Sequence, residues 1–295
     1  MKAMKLIFIG CMVITSFLCY SQQSFLDPTF SGGRVNTKFS SEEDSASSVV
    51  IQTDGKIVVA GVIDGSYKNK LGIVRYLVDG NIDVSFGLNG RVIDSFSTPS
   101  VYYRGYFKMI LQSDGKILVT GSRKVSANGI ELILVRYNTN GSRDNTFGSS
   151  GILQLGTFSA SFDNNVRVAL QSSGNILCVM HGIIYRYTPT GVLDLSFGTS
   201  GQVITGYTLS ANVLPSNILV QSDDKIVISV ATSFWNGITE IDTTFISRYN
   251  SDGSIDMGYG SGGTVIVIDS VVSEYPPLLQ SDGKLLVYSG IKGFY

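Results

Sequence analysis

Apolar residues along this chain come in short continuous runs, without the three-to-four-residue period of an amphipathic helix. IVVAGVI, ILVTG, ILCVM, IVISV and LLVYSG each follow a Gly-Lys, Gly-Asn or Asp-Lys turn. Runs this short, rich in β-branched residues and opened by turn formers, predict strands. A second kind of run ends in Arg-Tyr: GIVRY, LILVRY, IIYRY and FISRY. No stretch of the mature chain predicts a long helix.

The runs recur in order. Glutamines at Gln52, Gln112, Gln171, Gln221 and Gln280 open the same phrase, as in LQSDGKILVTG, at spacings of 60, 59, 50 and 59. After the first four comes a second phrase, as in VRYNTNGSRDNTFGSSG, and its tail alone stands at the N-terminus as LDPTFSGGRV. A fixed period of short strands marks a repeat architecture. Within each unit the pattern predicts two hairpins with three-residue loops: a type I turn followed by a left-handed residue, normally Gly. Asp223-Asp224 departs, because Asp224 stands where the other units have Gly.

That register places an arginine opposite an aspartate eight residues on: Arg75 and Asp83, Arg136 and Asp144, Arg186 and Asp194, Arg248 and Asp256. Four copies at one spacing predict structural cross-strand pairs, since catalysis needs no such repetition. Three residues past each Asp stands an aromatic, Phe86, Phe147, Phe197 or Tyr259, and Phe30 holds the same place in the N-terminal tail. One ring per unit at a fixed offset predicts a stacking element between neighbouring units. Each full unit then holds four strands, and four-stranded units in series predict an all-β fold, a β-propeller of about five four-stranded blades.

The wording of LDPTFSGGRV, LQSDGKILVTG and the Arg-Tyr-x-x-x-Gly-x-x-Asp-x-x-Phe-Gly pattern resembles the delta-60 repeat family, β-propeller repeats of unknown function in secreted bacterial proteins. The resemblance covers essentially all of the mature chain. It implies a propeller in an extracellular setting and brings no catalytic residues with it. The last unit ends after KLLVYSGIKGFY, without an Arg-Tyr strand or an Asp-x-x-Phe tail. Two expectations follow: the N-terminal tail completes a shared fifth blade, or the chain is a piece of a longer protein with further repeats and a C-terminal sorting domain.

Residues 1–21 read as a secretory signal peptide, with Lys2 and Lys5 ahead of the apolar stretch Leu6 to Tyr20 and a small-x-small cleavage site before Gln22. The expected domains are that leader and a repeat domain over 22–295, secreted or at the cell surface, with no transmembrane segment after cleavage. Only Cys178 of the three cysteines then remains, within NILCVM, where it predicts a buried small hydrophobe.

Charge and composition remove several functions. Charged residues are 15% of the chain, below the roughly 25% usual for soluble domains. The formal net charge is −1 and no basic stripe is present, which argues against nucleic acid as a partner. His181 is the one histidine, expected as a solvated turn residue, and no G-x-S-x-G elbow accompanies it. With one histidine and one mature cysteine, a zinc site is excluded by count. The run Asp79 to Asp83 has the acid spacing of a calcium loop, but Val84 stands where that loop needs Gly. No cofactor is expected.

Function is expected in the segments that do not repeat. There Trp235, Tyr102 and Tyr103 are candidate contacts for a protein or glycan, because exposed aromatics beside polar groups stack on sugars or anchor interfaces. The leading reading is a non-enzymatic binding or scaffold module. The alternative is an extracellular polysaccharide hydrolase or lyase built on a propeller, for which Glu131, Glu240 and Asp242 are the candidate acids.

Overall fold

The structure, a computed structural model, describes residues 27–40, 44–63, 70–94, 107–126, 129–159, 166–206, 213–235, 240–269 and 277–287. Residues 1–21, Tyr102 and Tyr103 lie outside them. Apart from one three-residue 3-10 turn, Ser31–Gly33, every element among the described residues is a strand. Blade 1 comprises β1 (Ser45–Ile51), β2 (Ile57–Ile63), β3 (Lys70–Tyr76) and β4 (Arg91–Asp94). Blade 2 comprises β5 (Lys108–Leu111), β6 (Ile117–Lys124), β7 (Gly129–Tyr137) and β8 (Ile152–Ser159). Blade 3 comprises β9 (Arg167–Leu170), β10 (Ile176–Met180), β11 (Ile183–Tyr187) and β12 (Gln202–Ile204). Blade 4 comprises β13 (Val213–Val220), β14 (Ile226–Trp235), β15 (Glu240–Tyr249) and β16 (Thr264–Asp269). The fifth is a two-stranded pair, β17 (Leu278–Leu279) with β18 (Leu285–Leu286).

Strands pair antiparallel and in chain order within every blade, so each blade is a meander closed by hairpins. The Gln turns have the three-residue form. Gln112 N donates to Lys116 O and Gly115 N to Gln112 O, both at 2.9 Å, with Gly115 at φ +79°. Asp224 takes the same left-handed place at φ +63°. Its carboxylate accepts the backbone N–H of Ser172 in the preceding blade at 2.7 Å and also the Ser172 hydroxyl, which gives the strained residue a role that Gly could not fill.

The apolar runs do not alternate because both faces of the inner blades are covered. One core joins Val58, Ala60, Leu71 and Ile73 of blade 1 to Ile117, Val119, Ile133 and Val135 of blade 2. A second lies between blades 2 and 3 and a third between blades 3 and 4. The first strands come together along the stack, β1 against β5 and β9 against β13. This is a β-propeller: four-stranded sheets stacked face to face, with the core in the layers between them.

Candidate functional site

The chemistry-bearing residues that the repeat brings together lie where one blade meets the next. In the Arg-Tyr hairpin, Asp144 N donates to Arg136 O at 2.9 Å, so the two residues sit directly across the ladder. Their side chains meet on that register. Arg Nε to Asp Oδ2 is 2.9 Å for Arg75 and Asp83, and 2.8 Å for Arg136 and Asp144, Arg186 and Asp194, and Arg248 and Asp256. The other carboxylate oxygen of Asp144 accepts from Thr146, at 3.0 Å from its N–H and 2.6 Å from its hydroxyl.

Three partners of this cluster were not anticipated from sequence. The guanidinium lies over the aromatic of its own unit, 4.6 Å from the Phe86 centroid for Arg75, 4.5 Å from Phe147 for Arg136, 4.6 Å from Phe197 for Arg186 and 4.3 Å from Tyr259 for Arg248. The arginine also crosses to the next blade, where Arg75 Nη1 donates to the Thr139 carbonyl at 2.6 Å, Arg186 Nη1 to that of Ser251 at 2.7 Å, and Arg136 Nη1 to that of Pro189. A lysine from the Gln turn approaches the same carboxylate: Lys56 to Asp83 at 3.4 Å, Lys116 to Asp144 at 3.3 Å and Lys225 to Asp256 at 3.1 Å. The signal for that lysine was its fixed place four residues after the glutamine. Unit 3 has Asn175 there.

The aromatic reaches forward as well. A Cβ added to Gly141 would come within 3.0 Å of the Phe86 ring and 2.9 Å of the Gly87 nitrogen, and Gly141 sits at φ +86°. The blades are that close because Gly87 N donates to the Asn140 carbonyl at 2.8 Å. Phe147 meets Gly191 and Phe197 meets Gly253 in the same way.

Electrostatics follow from this packing. Burial alone would raise the carboxyls of Asp83 and Asp144, but hydrogen bonds from Ser85 or Thr146 and the adjacent cations outweigh it and bring both from 3.8 to about 2. Asp194 is lowered chiefly by Ser196, and Asp256 chiefly by Lys225. These carboxylates are held ionised, which suits an anchor and opposes a role as a proton donor at neutral pH.

Blades 1 and 2 share a further contact. Asp94, at the end of β4, accepts the Tyr137 hydroxyl at 2.6 Å and pairs with Arg143. The tail equivalent is Thr37, which accepts the Tyr76 hydroxyl at 2.6 Å.

The remaining candidates are dispersed. Trp235 ends β14 and pairs across the ladder with Glu240, while Asp242 pairs with Asp269. Glu131 is buried on β7. His181 departs from expectation: it occupies a turn at φ +50°, but it is half-buried, with its ring edge-on to Phe158 at 4.1 Å between centroids. A long aromatic on the neighbouring outer strand covers it, which the local sequence does not reveal. Cys178 is buried between blades 2 and 3, and burial pushes its thiol up. Among the described residues no group of three or more His, Cys, Asp or Glu could hold a metal ion, and no helix is long and apolar enough to cross a membrane.

A family model agrees with this architecture. Residues 52–86, 112–147 and 221–259 match a family model described as a domain of unknown function (DUF5122) beta-propeller. Each match runs from a Gln turn to the aromatic of the same unit. No curated protein matches. Among solved structures, an α-L-arabinofuranosidase from Fusarium graminearum is 7% identical, with a TM-score of 0.43 over 81% of this chain and 67% of the other. The polysaccharide lyase Uly1 is 11% identical, with a TM-score of 0.40 over 76% of this chain and 60% of that one. A protein of unknown function from Dyadobacter fermentans is 11% identical, with a TM-score of 0.39 over 75% and 74%. The repeat matches and the stacked four-stranded sheets together identify the chain as a β-propeller built from sequence repeats.

Proposed function

We propose that this chain is an exported, non-enzymatic β-propeller that acts as a binding or scaffold module for a protein or glycan at the cell surface or in the medium. The observation that carries the reading is the fate of the repeated polar residues. In three successive units each arginine is divided among an aspartate, an aromatic ring and a carbonyl of the next blade. Groups engaged in this way join blades. Ligand recognition then falls to the segments that do not repeat, including those that carry Trp235, Tyr102 and Tyr103.

The test combines a glycan array with a reducing-sugar assay on the purified protein. Binding of an oligosaccharide without product is expected. Release of new reducing ends would overturn the reading in favour of a hydrolase or lyase.

A further inference from the structure

The N-terminal segment repeats the arginine-binding half of a blade junction. Asp27 Oδ1 accepts the Thr29 N–H at 2.9 Å and the Thr29 hydroxyl at 2.6 Å, as Asp83 accepts from Ser85 at 3.1 and 2.6 Å. Phe30 N donates to Asp27 O at 3.1 Å, as Phe86 N does to Asp83 O at 3.0 Å. The Phe30 ring would lie 3.2 Å from a Cβ on Gly80, just as Phe86 faces Gly141. Residues 27–37 therefore occupy, against blade 1, the place that a preceding blade's tail would take. In the four complete copies the free carboxylate oxygen holds an arginine Nε at 2.8–2.9 Å. Asp27 is exposed, and no arginine among the described residues reaches it.

The adjoining sheet face is open in the same sense. Val49 and Ile51 of β1 are 62% and 68% exposed, and Ile57 and Val59 of β2 are half-buried. Their counterparts in blade 2, covered by blade 1, are Met109 at 9%, a half-buried Leu111, Ile117 at 0% and Val119 at 1%. The outer part of the blade 1 face is covered by the N-terminal segment, through Phe39 beside Gly72 and Thr37 on Tyr76. The inner part, where the first strands of a preceding blade would pack, is exposed.

We infer that Asp27, the Phe30 ring, the Val78 carbonyl and the open face of β1 and β2 form a docking site for a blade section of this same repeat type on a second polypeptide, anchored by the arginine of its third strand. Val78 is the counterpart of Thr139, whose carbonyl receives Arg75. A guanidinium fits all three features, because its planar fork can bond carboxylate and carbonyl while stacking on the ring. The apolar face selects a sheet rather than a lone side chain, and the mode is strand complementation of an open blade. This chain's own Arg75, Arg136, Arg186 and Arg248 are already engaged with their aspartates. The site stands apart from the ligand reading above, which the array and the turnover assay decide without it.

The probe is a labelled peptide of residues 108–141, covering β5 to β7 with the Gln112 turn and Arg136, carried on a soluble fusion partner and titrated into the full chain by fluorescence anisotropy. Saturable one-to-one binding is expected. Asp27→Asn in the chain, or Arg136→Ala in the probe, is expected to weaken it by about tenfold or more, and the two changes together by no more than either alone. The Asp27 side chain is exposed and, among the described residues, bonds only to Thr29, so the circular dichroism melt of Asp27→Asn should match that of the parent. No binding, as when the chain's own residues 288–295 fill the site, overturns the inference. So does binding that neither substitution weakens.

Discussion

Replacing Arg136 by alanine tests whether the repeated cluster holds the blades together. Both side chains of the Arg136–Asp144 pair are buried, at 4% and 6% exposure. The change removes the 2.8 Å bond to Asp144, the bond to the Pro189 carbonyl in blade 3 and the cation over Phe147. Leaving one partner of a buried pair alone costs about 3–5 kcal/mol. Asp144 keeps Lys116 at 3.3 Å and Thr146 at 2.6 Å, so the loss should fall at the lower end, about 3 kcal/mol. Urea unfolding of Arg136→Ala, Asp144→Ala and the double variant, compared at constant m-value, gives the coupling energy. A value on the order of 1–3 kcal/mol is expected for contacting groups in one network. The Arg248–Asp256 pair is more exposed, at 22% and 12%, and the same cycle there should give a smaller coupling. A coupling below about 0.5 kcal/mol at Arg136 and Asp144 would refute the reasoning, because additivity of that quality belongs to independent sites.

Acid should undo the same junctions. Asp83 and Asp144 titrate at about 2 in the folded protein, below their usual 3.8, so their contribution is complete above pH 4 and is lost as pH falls from 4 through 2. Tryptophan fluorescence against pH should show stability falling across that window in the parent, with a shallower fall in Asp144→Asn; equal slopes would count against the assignment. Gly141→Ala should cost about 1–3 kcal/mol, since the new Cβ meets the Phe86 ring and the Gly87 nitrogen at a left-handed φ. Gly206→Ala is the control: φ is +80° but nothing lies within 4 Å, so strain alone should cost about 1 kcal/mol. Equal losses in thermal melts would mean that the close approach of blades carries no energy.

Much of this protein could be read along the chain. The repeated runs foretell four-stranded meanders, and β1 to β4 follow them in order because hairpin pairing is set by turn length and by neighbours a few residues apart. The Arg136 to Asp144 spacing falls in the same class, since a three-residue loop leaves only one partner opposite. What the chain could not disclose are contacts between residues of neighbouring blades, which depend on how one sheet is turned against the next. The Arg136 bond to Pro189, the Asp94 contact with Tyr137 and Arg143, Phe158 over His181, and Asp224 on Ser172 are all of that kind. So is the contrast between exposed Val49 and covered Met109, two apolar residues at equivalent positions whose surroundings differ only because one blade has a neighbour on that side. Local periodicity decides which strands form and what they pair with; only the stacking of sheets decides which polar groups meet and which apolar face stays open.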